Sequence, residues 1–352
     1  MTKIKEIFKT DVNRPISPVI YFHEDSPEKL AEEVGEYIIT GGYDDSTKDG
    51  IHEQYVKLLK GIHYELTEGG REHPACWISG FYGSGKSSFA KLLGLALDGR
   101  KLPDGKPLDE ALLARDESPK QGEFRKAWQE LNSKVDGLAV VFDIGRVARD
   151  GESIHSAVRR MLAHRLGYCP HKNQAIAEYE LNLEKDGLYS KFLDLYEQEF
   201  GRTWESSNQR GLVADEFSLV MSRLRPELYE TPLDWADTNS GSSRFIGTSV
   251  KDCVDAMVEM LKQRAPNATV FLVVDEVSQY IHGETERMLK LQTLVSELGK
   301  QLKGRVWLLA TGQQKLEDDS VGSELPKLKG RFPPHLRVHL SPANIRDVVQ
   351  RS

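Results

Sequence analysis

The segment Gly80-Phe81-Tyr82-Gly83-Ser84-Gly85-Lys86-Ser87 constrains this chain more than any other. It fits G-x-x-x-x-G-K-[ST] at every fixed position: Gly80, Gly85, Lys86 and Ser87. The apolar run Ala75-Cys76-Trp77-Ile78 precedes it, and Phe89, Leu92, Leu93 and Ala96 follow at helical spacing. A loop between a strand and a helix is therefore expected. Glycines there let backbone N–H groups turn inward around an anion, and the helix aims its positive N-terminus at the same point. Lys86 is placed to reach the β and γ phosphates of a nucleotide, and the Ser87 hydroxyl to ligate Mg²⁺. The candidate binding segment runs from Gly80 through Phe81, Tyr82, Gly83, Ser84, Gly85, Lys86 and Ser87 to Ser88, with ATP and Mg²⁺ as its expected ligands.

A second motif, Phe271-Leu272-Val273-Val274-Asp275-Glu276, ends an apolar strand in two acids. A carboxylate beside such a loop holds Mg²⁺ through water, and a neighbouring glutamate orients and deprotonates the attacking water. Asp275 fits the first role and Glu276 the second. Asp143, ending Val140-Val141-Phe142-Asp143, is the rival and lacks the paired glutamate. The end of the next strand, Ala310-Thr311-Gly312-Gln313, offers Thr311 and Gln313 as side chains for the γ phosphate or the lytic water, or else is an ordinary strand terminus. The basic stretch from Lys327 to Arg337 follows. In oligomeric ATPases this region lends an arginine to the neighbouring subunit's γ phosphate. Arg331 is the first candidate and Lys329 the second, against a solvated basic loop or a small nucleic-acid patch. Pro15–Ile20 is the candidate cover for an adenine base.

Five strands are expected, near 75–79, 138–144, 269–275, 305–311 and 336–340. They alternate with helical patterns near 26–40, 51–66, 88–97, 153–166, 250–261 and 284–302. Such alternation predicts an α/β fold with a parallel, doubly wound sheet and helices on both faces. The strand at 138–144 separates the two motifs in sequence, the order of an AAA+-like P-loop sheet with an additional strand between the motif strands. The expected organisation is a leading segment over 1–70, a P-loop core over 71–340 with helical insertions at about 99–136 and 168–248, and the start of a lid helix over 341–352. The last reads as a helical domain cut as it begins.

With 352 residues, 39% hydrophobic and 29% charged, the chain is expected to be soluble and globular. No apolar run approaches the ~20 residues that cross a bilayer. The N-terminus has no apolar signal core, so a cytoplasmic location is expected. A net charge of −7 argues against a global basic field for nucleic acid. Cys76, Cys169 and Cys253 are isolated, and His52/His63 and His335/His339 are weak metal pairs.

The runs IFKTDVNRPISPVIYF, EEVGEYIITGG, GFYGSGKSSFAKLLG, FLVVDEVSQYI and LLATGQQKL together resemble the large P-loop protein of BREX bacteriophage-defence systems, the BrxC/PglY family. The resemblance covers nearly the whole chain. It implies an AAA+-like ATPase in a bacterial cytoplasmic complex, acting with a DNA methyltransferase and other BREX components to exclude phage DNA. It implies that Lys86 and Ser87 bind phosphate and Mg²⁺, that Asp275 binds Mg²⁺ and that Glu276 is catalytic. Family members are much longer, so this chain corresponds to their N-terminal ATPase part, and a homo-oligomer is expected of the full-length protein. A direct DNA translocase or loader using residues 327–337 is the alternative, in place of indirect contact with DNA. A small-molecule kinase suits the paired acids and long insertions poorly.

Overall fold

Ser26 starts the first helix as its Ser-Pro-Glu spacing predicts: its side chain accepts from Lys29 N–H at 3.3 Å. In this computed structural model, which describes residues 22, 24–43, 50–170, 175–208, 213–239, 248–313, 315–316 and 325–341, that helix is α1 (Pro27–Glu36). It stops four residues short of the expected Thr40, because Tyr37 is already extended. In chain order there follow α2 (Ile51–Thr67), β1 (Ala75–Gly80), α3 (Lys86–Leu97), α4 (Leu108–Ala114), α5 (Gln121–Asn132), β2 (Gly137–Asp143) and α6 (Ile144–Val147). Six helices come next: α7 (Ile154–Arg165), α8 (Ala175–Lys185), α9 (Tyr189–Phe200), α10 (Val213–Leu224), α11 (Asp234–Asn239) and α12 (Val250–Arg264). The sheet then resumes with β3 (Thr269–Asp275), α13 (Val277–Ile281), α14 (Thr285–Leu302), β4 (Val306–Gly312) and β5 (Arg337–Leu340).

The chain divides into two compact units, Met1–Val147 with Ala268–Ser352, and Ala148–Asn267. The first holds a five-stranded, all-parallel sheet in the order β2-β3-β4-β1-β5. The additional strand between β1 and β3 is β4, while β2, their intermediate in sequence, lies at the edge. Registers such as Ile78↔Thr311 and Val274↔Ala310 fix this central trio. β1, β3 and β4 are buried at every residue, so both faces of the centre are covered, as the continuous Val/Leu/Ile runs of a parallel sheet require.

One face packs Ile78, Phe271, Val273 and Leu309 against Phe89, Leu92 and Leu93 of α3. Gly94 permits the close approach, since a Cβ there would lie 2.5 Å from Val273 Cγ2. The same cluster continues through Leu30 and Val34 of α1, Tyr55, Leu58 and Ile62 of α2, and Phe124, Trp128 and Leu131 of α5. Tyr55 stacks on Phe89 with centroids 3.9 Å apart and on Phe124 at 5.1 Å. Lys91, fully buried in α3, donates to Glu33 Oε1 at 2.8 Å and the Glu24 carbonyl at 2.7 Å, fastening α1 to α3. The described parts of the segments read from sequence as a lead-in (1–70) and an insertion (99–136) thus contribute to the core. The apolar stripe of α5, spaced Phe124, Ala127, Trp128, Leu131, has α2 to cover it.

The second unit is helical, α7 to α12, and includes the stretch at about 168–248 expected to be helical. Its core is aromatic: Phe192, Tyr196, Trp204, Phe217 and Trp235 are all buried in one cluster. α7 and α12, which sequence alternation assigns to the sheet domain, belong to this unit. Among the described residues no helix is long and apolar enough to cross a membrane. The expected lid helix, beyond Ser341, and the adenine cover Pro15–Ile20 lie outside the described residues.

Candidate functional site

The glycine loop leaves the carboxyl end of β1 and turns through Gly83 (φ +81°) and Gly85 (φ +82°) into α3. These are left-handed conformations that side chains disfavour, which accounts for glycine at both. Gly80 is glycine for space, because a Cβ would stand 2.3 Å from Ser84 Oγ. Lys86, Ser87 and Ser88 open α3, so their N–H groups have no helical carbonyl four residues back. No acidic side chain sits in that first turn. Ser84 is buried, and its Oγ has no partner among the described residues. The first-turn amides of a helix N-terminus and a hydroxyl without a partner among the described residues, together in one loop, can seat an anion. Phe81 is half-buried, and Tyr82 at the tip is 79% exposed.

The strand order delivers the acids to this loop. Ser87 Oγ donates to Asp275 Oδ2 at 2.9 Å and lies 3.2 Å from Oδ1, although 188 positions separate the two residues. Thr311 Oγ1 also donates to Asp275 Oδ1. Burial pushes the Asp275 carboxyl upward from its ordinary value, opposed by the Thr311 and Ser87 hydrogen bonds and by the Lys86 charge.

Glu276 follows in a left-handed conformation, φ 57° and ψ 30°, which costs a non-glycine residue about 1–3 kcal/mol. Its N–H donates to Thr311 Oγ1 at 3.0 Å. Its Oε1 lies 3.6 Å from Lys86 Nζ, and its Oε2 is buried with no partner among the described residues. Burial raises this carboxyl too, with Lys86 opposing and Asp275 and Asp143 reinforcing.

Of the residues read from sequence, Lys86, Ser87, Asp275, Glu276 and Thr311 come together. Among the described residues nothing joins Gln313 to them: its N–H donates to Ser278 Oγ at 3.0 Å, and the residue is exposed. Asp143 stands in register with Asp275, close enough for its charge to act on both acids. Its carboxylate accepts from Gly145 N–H at 2.8 Å and faces Arg146 at 3.3 Å. Arg331 is exposed at the end of the turn Leu325–Arg331, and among the described residues no hydrogen bond or ion pair joins it to Lys86, Ser87, Asp275 or Glu276. The Lys329 carbonyl accepts from Arg337 at 2.7 Å.

Ser87 and Asp275 supply hard oxygens of the kind Mg²⁺ prefers. Among the described residues no group of three or more His, Cys, Asp or Glu is arranged around a common metal position, so a cation here would draw its remaining ligands from phosphate and water. Three histidines of the two pairs have protein partners: His52 with Asp116 at 2.9 Å, His335 with Glu65 at 2.9 Å, and His339 with Ser79 Oγ at 3.0 Å. Two contributors have no signal in the sequence. Tyr37 packs its ring beside Gly85, 3.9 Å from where a Cβ would stand, and Ser278 ties α13 to the end of β4. Both depend on contacts between elements distant in sequence.

No protein-family model matches the chain, and no solved structure matches it.

Proposed function

We propose that this chain binds ATP with Mg²⁺ at the Gly80–Ser88 loop and hydrolyses it. The observation that carries the reading is the convergence of Ser87 on Asp275 at 2.9 Å with Glu276 facing Lys86 at 3.6 Å. The strand order β2-β3-β4-β1-β5, with one strand between the two motif strands, supports an AAA+-like P-loop core. The loop amides and Lys86 bind the β and γ phosphates and oppose the charge that develops on them. Ser87 and Asp275 would hold Mg²⁺, which would supply positive charge to offset that of the phosphates. Glu276 accepts the proton of the attacking water, a role that its upward shift by burial brings closer to neutral pH. Lys86, engaged by phosphate, releases Glu276 from the 3.6 Å pair for that task.

The resemblance to the BrxC/PglY family supports placing this activity in a BREX anti-phage complex, as a nucleotide-driven switch or assembly motor beside a DNA methyltransferase. Arg331, exposed and joined to neither Asp275 nor Glu276 among the described residues, suits a role on the nucleotide of a neighbouring copy. The test is ATP turnover as a function of protein concentration. Turnover per chain that rises with concentration and falls in Arg331→Ala is expected. No turnover above background at any concentration would overturn the hydrolysis reading, and concentration-independent turnover indifferent to Arg331→Ala would overturn the shared site.

A further inference from the structure

Thr311 is the last-but-one residue of β4, the strand inserted between the two motif strands, and it is 0% exposed. A threonine hydroxyl has one hydrogen to donate and lone pairs to accept with. The hydrogen goes to Asp275 Oδ1. A lone pair accepts the Glu276 N–H at 3.0 Å. With its hydrogen committed and its surface closed to solvent, the hydroxyl has no donor left for a phosphate or a lytic water. Its two partners are adjacent residues on either side of a backbone reversal. Asp275 ends β3 in extended conformation, and Glu276 is left-handed at φ 57°. A strained conformation persists where its surroundings over-determine it, and Thr311 grips the chain on both sides of that point.

We propose that Thr311 is a positioning residue: it fixes the Asp275 carboxylate toward Ser87 and pins the left-handed Glu276, and it does not read the γ phosphate. Its contribution is therefore to metal affinity and to the aim of the base, leaving phosphate recognition to the loop and Lys86. This rests on the ATPase reading of the site.

The experiment uses the full chain with Thr311→Val, which keeps the shape and removes the hydroxyl, Thr311→Ala in parallel should valine fold poorly, and Thr311→Ser, which restores the hydroxyl. Four quantities are measured: Mn²⁺ affinity in the ADP complex, the ratio of ATP to ADP affinity without metal, turnover, and amide exchange at Glu276. Groups that orient metal ligands are worth roughly 10–100-fold in affinity or activity. Thr311→Val is expected to weaken Mn²⁺ binding and lower kcat by about that factor, with the metal-free ATP:ADP ratio within about twofold of wild type, and Thr311→Ser to recover both. Amide exchange at Glu276 should quicken in Thr311→Val and not in Thr311→Ser. An ATP:ADP ratio changed tenfold with Mn²⁺ affinity intact would identify a phosphate reader and overturn the proposal, as would a valine variant indistinguishable from wild type. A wild-type chain without Lys86-dependent turnover would sink the ATPase reading instead. The Glu276 exchange rate, which needs no nucleotide, would then still decide the role of Thr311.

Discussion

Two networks of buried charge, one in each unit, are paired to different degrees. In the helical unit Glu180 is fully buried and accepts from Cys169 N–H at 2.7 Å, Trp204 Nε1 at 2.7 Å and Tyr189 OH at 3.2 Å. Arg264 lies with its guanidinium carbon 3.5 Å from the Tyr168 ring centroid and donates to Glu184 at 2.6 Å, while its buried Nη2 stands 3.8 Å from Glu180 Oε1 with no hydrogen bond among the described residues. At the sheet ends, Lys86 and Glu276 stand 3.6 Å apart, beyond an ordinary charge-assisted hydrogen bond, and Ser84 Oγ and Glu276 Oε2 are buried without partners among the described residues. Native proteins satisfy buried polar groups almost everywhere, so a cluster of under-satisfied groups around a left-handed glutamate marks a place shaped for something other than stability. The first network is a structural knot, and the second is a site held short of its best internal pairing.

If that contrast holds, substitutions in the two networks should separate activity from stability. The largest effect is expected from Glu276→Gln, which removes the proposed base: kcat should fall about 10²–10⁴-fold while nucleotide binding persists, as measured by turnover and equilibrium binding. Lys86→Ala should lower turnover by about 10²-fold or more and weaken nucleotide binding as well, with little change in the melting transition. The contrast breaks if either variant unfolds the protein while sparing turnover. Arg264→Leu should behave oppositely. Removing one member of a buried pair costs about 3–5 kcal/mol, read by urea unfolding, with turnover per folded molecule near wild type.

The smallest effects are in pH. Burial raises Glu180 from 4.5 to about 7, so the native state holds its proton more tightly than the unfolded chain does. Its contribution to stability is present below pH 4.5 and is lost as pH climbs to about 7. His164 runs the other way. Burial, with Arg160 and Arg149 assisting, lowers it from 6.5 to about 4, so its contribution is present above pH 6.5 and is lost as pH falls to about 4. Unfolding free energies across that range should lose their decline with rising pH in Glu180→Gln and their acid-side loss in His164→Asn. Unchanged slopes in both variants would show that the helical unit does not hold these groups as described.

The loop and the acid pair were legible because each carries its chemistry in consecutive residues. Gly83 and Gly85 announce the turn, and Asp275-Glu276 ends an unbroken apolar strand. The candidate role of Thr311 was legible only as a polar group at a strand end, open to phosphate or water. Its actual partners come from the neighbouring strand, which no periodicity in β4 names. The segments 1–70 and 99–136 looked peripheral for the same reason. The stripes of α2 and α5 reveal an apolar face but not which surface covers it, and the answer lies in Tyr55 stacked between Phe89 and Phe124.

By itself, then, the sequence determined what short-range physics controls: the capped start of α1, the glycine turn into α3, five apolar strands and the acids that end one of them. Tertiary structure alone decided that β4 lies between β1 and β3, and with it that Thr311 grips Asp275 and Glu276 and that Ser87 meets Asp275. The reason is that a strand's period fixes which side chains face a sheet, while its neighbours are chosen by backbone hydrogen bonds between segments far apart in the chain.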